Sequence, residues 1–187
     1  MHTNKEDNHE YERCGHSKLY GFSNSKNTTD VKVADICHNA NISRKTFYNY
    51  FADKQEILEC IFCEEIEKTM INGLQYQVDE KKEVIATYKK FLKHKDFFMI
   101  AMKSEGQNSL FDIIITHCSK LCRNLYDPYI EDKKKLDYLS YKYAASSAML
   151  LKKWMHEGME ESAEFLAEIY LSSIQDLSSY KHGDNYK

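Results

Sequence analysis

The chain has 187 residues, enough for one or two domains, with 26 Lys and Arg against 29 Asp and Glu and a net charge of −3. One Pro and six Gly among many Lys, Glu, Leu and Ile point to an all-α protein, and 42% hydrophobic and 13% aromatic residues suffice for a core. The apolar runs 97–102 and 110–116 are too short to cross a bilayer, the polar N-terminus shows no signal peptide, and the six Cys form no secreted disulfide framework; a cytoplasmic protein without a membrane partner is expected.

In chain order, residues 1–8 are polar and are expected to form a disordered tail. Residues 9–53 are expected to form a helix-turn-helix DNA-binding domain, and 54–180 a helical regulatory and dimerisation domain. The most informative stretch is 31–58. Val33, Ile36 and Cys37 recur at helical spacing after Asp30, a suitable N-cap, so a short amphipathic helix is predicted over 31–39. Asn41 tolerates a left-handed turn, Ile42 plugs into the core, and Ser43 caps a second helix over 44–50. There Phe47 and Phe51, four apart, should face inward. Arg44, Lys45, Thr46, Tyr48, Asn49 and Tyr50 remain to meet DNA. Arg can bond guanine bidentately, Asn can bond adenine, and Tyr and Lys can hold phosphates. Asp53 and Glu56 have capping-box spacing for a third helix, with Lys54 at its start beside a phosphate-binding N-terminus.

Helices are then predicted over 54–72, 83–93, 96–104, 109–126, 133–157 and 162–178. Gly73 and the stretch 75–82, Gly106 with Asn108, Asp127-Pro128 and Gly158 supply the breaks, and Ser162 caps the last helix. Between Lys26 and Lys54 basic residues exceed acidic ones by two, so weak, strongly salt-dependent nonspecific DNA binding is expected.

Chemical constellations are sparse. Cys60 and Cys63 are a lone CxxC among apolar neighbours, which favours structural thiols. One pair cannot complete a tetrahedral zinc site. His117 and Cys118 point to different faces, whereas Cys118 and Cys122 share one. No metal and no cofactor is expected. No P-loop, nucleophile elbow, HExxH or dinucleotide fingerprint occurs, so an enzyme is not expected.

The segments Asp35-Ile36-Cys37, Ala40-Asn41-Ile42-Ser43, Thr46-Phe47-Tyr48-Asn49-Tyr50-Phe51 and Asp53-Lys54 resemble the TetR family of transcriptional regulators. The resemblance implies DNA contacts at Lys32, Ser43, Arg44, Lys45, Thr46, Tyr48, Asn49, Tyr50 and Lys54. It also implies a first helix near 10–23, where Gly15 and Gly21 intervene. Asn41 stands where the family has Gly, and Lys32 where it often has Thr. Trp154, Gly158, Met159 and Ser162 resemble the ending of a subgroup that includes regulators similar to those of dihydroxyacetone kinase operons.

By the same resemblance the last two helices would form a homodimer through Ala144, Ala148, Leu166, Ile169 and Tyr170, although the same residues read equally as intrachain core. A two-fold dimer would place two recognition helices about 34–36 Å apart, matching a pseudo-palindromic operator in double-stranded DNA. An unknown small-molecule effector would enter among the bulky side chains of the middle helices. Tyr88, Phe91, Phe97, Phe98, Met99, Met102, Phe111, Ile115, Tyr141, Tyr143, Met149 and Trp154 form the candidate pool, with Phe91, Phe98, Met102, Phe111, Ile115, Tyr141 and Trp154 singled out, though such residues are more often core. The leading expectation is a repressor released by that effector. The alternative is a protein-partner-responsive regulator or co-activator without a small-molecule inducer.

Overall fold

The computed structural model describes residues 32–75, 79–103 and 109–174. The tail 1–8, the family helix expected near 10–23, Asp30 and the break at Gly106 and Asn108 lie outside them. The described residues are α-helical, with no strand among them: α1 (Val33–Ala40), α2 (Arg44–Tyr50), α3 (Lys54–Phe62), a π-helical turn (Cys63–Glu67), α4 (Lys68–Gln75), α5 (Glu80–Lys93), α6 (Lys95–Lys103), α7 (Leu110–Tyr126), α8 (Lys133–His156) and α9 (Ala163–Ser173). The first three helices form the helix-turn-helix end, and the others the larger helical bundle.

Local sequence explains most helix ends. Asn41 takes φ 55°, and the amides of Asn41 and Ile42 turn back to the carbonyls of His38 (3.2 Å) and Cys37 (3.0 Å). This is a Schellman closure of α1 with Asn in the position that glycine usually fills. Ser43 Oγ accepts from Thr46 N at 2.9 Å and starts α2. Asp53 Oδ1 accepts from the amides of Gln55 and Glu56, both at 2.9 Å. Glu56 reaches back one residue further than an ordinary capping box requires, to the amide of Ala52. Ser109 and Asp112 form a complete capping box on α7. Asp132 caps α8, and Ser162 caps α9.

Three boundaries differ from the sequence expectation, and one is the last helix, which ends at Ser173 with Ile174 as its C-cap in place of residue 178. Gly73 lies inside α4, and no break occurs there. The next helix begins at Glu80 in place of residue 83, because Asp79 accepts from Lys81 N at 3.0 Å and caps it. The helix that leaves the helix-turn-helix end also changes pitch: Lys68 N–H donates to Cys63 O, five residues back. Single π turns of this kind recur at functional positions in helices.

One apolar core joins both ends of the protein. Cys37 and Phe47 belong to the same buried cluster as Ile57, Ile61, Phe62, Phe91, Phe98, Ile114 and Met155. A second cluster, with Tyr126, Ile130, Leu136, Tyr143 and Ile174, fills the far end. Helices α7 and α8 pack along each other and share an Arg123–Asp137 ion pair. Helix α9 lies on α5, where Lys89 pairs with Glu164 at 2.8 Å.

Candidate nucleic-acid interface and internal cavity

The interface is built on α2. Phe47 is 1% exposed and packs against Phe51 with ring centroids 5.7 Å apart, which fixes the rotation of the helix. That rotation leaves Arg44, Lys45, Tyr48, Asn49 and Tyr50 exposed. Lys32, immediately before α1, is exposed as well, and Lys54 at the start of α3 is half-buried. Ser43 and Thr46 share a 2.9 Å contact between their hydroxyl oxygens. Ser43 therefore has a structural duty as cap in addition to any contact with DNA. Tyr48 stands edge-on to Phe47 at 5.2 Å, so its ring is braced while its exposed end is free to meet a partner. Arg44, Lys45, Asn49 and the phenols of Tyr48 and Tyr50 are thus exposed together on one short helix.

The second feature is a cavity of about 350 Å³ in the helical bundle. Its walls are mainly apolar and come from many elements. Phe62, Ile66 and Met70 descend from the helix that starts at Asp53; Phe91 comes from α5, Ile114 from α7, Leu151 from α8 and Tyr170 from α9. Polar groups are few: Thr87, Ser147, several tyrosine hydroxyls, the thiols of Cys118 and Cys122, and the carboxylates of Glu80 and Glu83. Thr87 and Ser147 are engaged with backbone carbonyls. Thr87 Oγ1 donates to Glu83 O at 3.0 Å, and Ser147 Oγ donates to Tyr143 O at 2.8 Å. Burial pushes the Cys118 thiol up to about 12 and raises Tyr88 and Tyr170 above the ordinary phenol range, so all three stay protonated at neutral pH.

Tyr88, Phe91 and Tyr143 are the members of the sequence pool that border this cavity. Phe98, Met102 and Trp154 are buried in the core around it, and the Trp154 indole N–H donates to Glu161 O at 3.1 Å. Phe111 and Ile115 are half-buried, and Tyr141 is 59% exposed. The walls that sequence reasoning missed, such as Ile66, Thr87 and Leu121, lie on the inward stripes of three helices whose mutual rotation no single-helix pattern reveals.

Ala144, Ala148 and Leu166, candidates for a dimer face, are each at most 2% exposed in the single chain and serve its own core. Tyr170 is a cavity wall, and Ile169 is 42% exposed. The exposed apolar side chains of these helices are Tyr138, Tyr141 and Met149 on α8 and Phe165 and Ile169 on α9.

A third cluster was not foreseen. His117 of α7 lies between two carboxylates, with Nδ1 3.0 Å from Glu67 Oε1 and Nε2 2.8 Å from Glu59 Oε1. Cys63 Sγ lies 3.7 Å from His117 Nδ1. Burial disfavours the imidazolium, but hydrogen bonds and charge from Glu59 and Glu67 outweigh it and raise the His117 pKa. Burial, followed by the nearby Glu67 and Glu59, pushes the Cys63 thiol up to about 12.

Comparisons with known proteins agree with this architecture. Residues 24–61 match the family described as bacterial regulatory proteins, tetR family. Residues 81–176 match a transcriptional regulator C-terminal region of the same family. Among solved structures, the chain is similar to a protein named dihydroxyacetone kinase operon activator DhaS, with TM-score 0.64 and 18% identity over 91% of this chain and 96% of that one. It is also similar to a TetR-family regulator from Syntrophomonas wolfei str. Goettingen, with TM-score 0.67 and 19% identity over 91% of this chain and 95% of that one. No match is found among curated protein sequences. Proteins of this type are DNA-binding regulators and not enzymes. The chain belongs to the TetR family of bacterial transcriptional regulators.

Proposed function

We propose that the protein is a cytoplasmic, homodimeric repressor whose grip on a pseudo-palindromic operator is released by a small, mainly apolar molecule. Lys32, Ser43, Arg44, Lys45, Thr46, Tyr48, Asn49, Tyr50 and Lys54 form the DNA surface, with the functional boundary near residue 53. Tyr138, Tyr141, Met149, Phe165 and Ile169 supply the dimer face, since the small residues first considered for it are already buried.

The observation that carries the effector reading is the origin of three cavity walls. Phe62, Ile66 and Met70 lie on the helix that leaves the Asp53 cap, directly after the recognition helix α2. A ligand that filled the cavity would press on that helix and alter the spacing of two recognition helices across the dimer. Release requires that the ligand bind the DNA-incompetent arrangement more tightly than the competent one. The cavity also favours this reading over regulation by a protein partner, which needs no internal space.

The test is a compound screen against the protein bound to its own upstream DNA. The reading expects an apolar compound of cavity size that lowers DNA affinity at least tenfold and loses that effect in Leu151→Trp. A compound that occupies the cavity and leaves DNA affinity unchanged would remove the repressor-release mechanism.

A further inference from the structure

The π turn brings together donor atoms that the sequence keeps far apart. Cys63 and Glu67 come from that turn and His117 from α7, and one donor atom of each lies within 4.8 Å of the other two. We propose that Cys63 Sγ, Glu67 Oε1 and His117 Nδ1 form a binding site for a divalent metal of the zinc class, with a fourth coordination position open.

Three features support the site. The first is spacing. Zinc bonds of about 2.3 Å to sulfur and about 2.0–2.1 Å to imidazole, at tetrahedral angles, hold S and N about 3.6 Å apart and N and O about 3.3 Å apart. The observed separations are 3.7 Å and 3.0 Å, and Sγ also lies 3.9 Å from Nε2, so Glu67 is already in place while the Cys63 side chain swings from beside the ring toward the Nδ1 lone pair as the ion enters. The second is the far side of the imidazole. Glu59 Oε1 lies 2.8 Å from His117 Nε2. A carboxylate there fixes the tautomer that presents the Nδ1 lone pair to a metal, as is usual for metal-bound histidine. The third is donor chemistry. One thiol, one imidazole and one carboxylate suit zinc and cobalt and do not suit calcium or magnesium, which prefer all-oxygen sites.

The balance of the step is simple. A metal–sulfur, a metal–nitrogen and a metal–oxygen bond form, and water leaves the incoming ion. The Cys63 thiol proton, and any proton on Nδ1, passes to solvent, while Nε2 keeps its proton for Glu59. No oxidation is involved. The ion would pin the π turn to α7. Phe62 and Ile66, beside the ligands on the same helix, already face the cavity. The metal would therefore hold one cavity wall in place from behind.

The experiment uses the untagged full chain, freed of metal by chelation and titrated with Co²⁺ and then Zn²⁺. The proposal expects one equivalent per chain, with thiolate-to-cobalt charge-transfer absorption in the near ultraviolet, tetrahedral visible bands and displacement by Zn²⁺. Cys63→Ser abolishes the charge-transfer absorption, and Cys122→Ser keeps it. Glu59→Gln alters a half-exposed side chain that is not itself a ligand, so folding is retained; it is expected to weaken Co²⁺ binding about 10–100-fold without changing stoichiometry. Zn²⁺ raises the melting temperature of the parent chain and not that of Cys63→Ser. Absence of a stoichiometric cobalt spectrum, or a spectrum that survives Cys63→Ser, would overturn the proposal and leave His117 as an ion-pair partner of Glu59 and Glu67 only.

Discussion

The amide of Met159 donates to the carbonyl of Trp154 at 2.8 Å, across a turn in which Gly158 has φ +83°. The Trp-x-x-x-Gly-Met pattern is thus a helix terminator. Trp154 supplies the accepting carbonyl, Gly158 the first of two left-handed residues, and Met159, with φ 52° and 3% exposed, the second, which re-enters the core. A Cβ on Gly158 would meet nothing nearer than 3.8 Å, so the cost of Gly158→Ala is backbone strain alone. A loss of about 1–2 kcal/mol is expected, readable as a lower urea midpoint with an unchanged slope.

Asn41 performs the same duty at the end of α1, with φ 55°. Asn41→Gly should keep or slightly raise stability, whereas Asn41→Ala should lower it by about 1 kcal/mol. Thermal melts of the two variants, run side by side, check the order. The reverse order would remove the turn from the account of how α2 is aimed.

The cavity makes opposite demands of two wall residues. Phe91 is 2% exposed and is shared with the core, so Phe91→Ala should cost about 3–5 kcal/mol. Val84 is half-buried against open space, so Val84→Phe should fill the cavity with little loss of stability. Uptake of an apolar fluorescent dye should fall at least tenfold in Val84→Phe, while DNA affinity without ligand stays unchanged.

His94 predicts the response to acid. Burial holds its imidazole below the usual range; Glu65, 3.8 Å away, opposes this, and Lys93 and Lys90 reinforce it. The unfolded chain takes up this proton near about pH 6.5, and the folded chain only at lower pH. In that window the unfolded state binds more protons, so stability rises with pH and is lost as pH falls through it. Denaturation midpoints between pH 7.5 and 5.5 should decline less steeply in His94→Gln than in the parent chain.

The helix-turn-helix end was legible because its signals are local. Asn41, Ser43 and Asp53 each act on amides or carbonyls within four residues, and Phe47 and Phe51 define a face by spacing alone. The cavity was legible only at Tyr88, Phe91 and Tyr143, since its walls come from six helices whose rotations are set by packing. The dimer candidates show the same limit. Small size marks Ala144 and Ala148 as close-approach positions, but not whether the approaching helix belongs to the same chain; in the fold they are buried within it. Cys63 and His117 were each noticed beside sequence neighbours, Cys60 in one case and Cys118 in the other. Only the packing of α3 and its π turn on α7 brings the two together.

Exposure separates recognition from stability on α2. Arg44 and Lys45 are exposed, so replacing either by Ala should change stability by no more than about 0.5 kcal/mol. Arg44→Ala should relax base preference by about 1–3 kcal/mol, whereas Lys45→Ala should weaken all sequences alike and flatten the salt dependence by about one phosphate contact.

The most direct test is footprinting of the purified protein on its own upstream region across a salt series, with Arg44→Ala and Lys45→Ala alongside. The account predicts protection of a pseudo-palindrome, with half-sites centred about one helical turn or a multiple of it apart, steep loss of binding with salt, and loss of the footprint in Arg44→Ala. Binding without sequence preference, or a footprint untouched by Arg44→Ala, would contradict it.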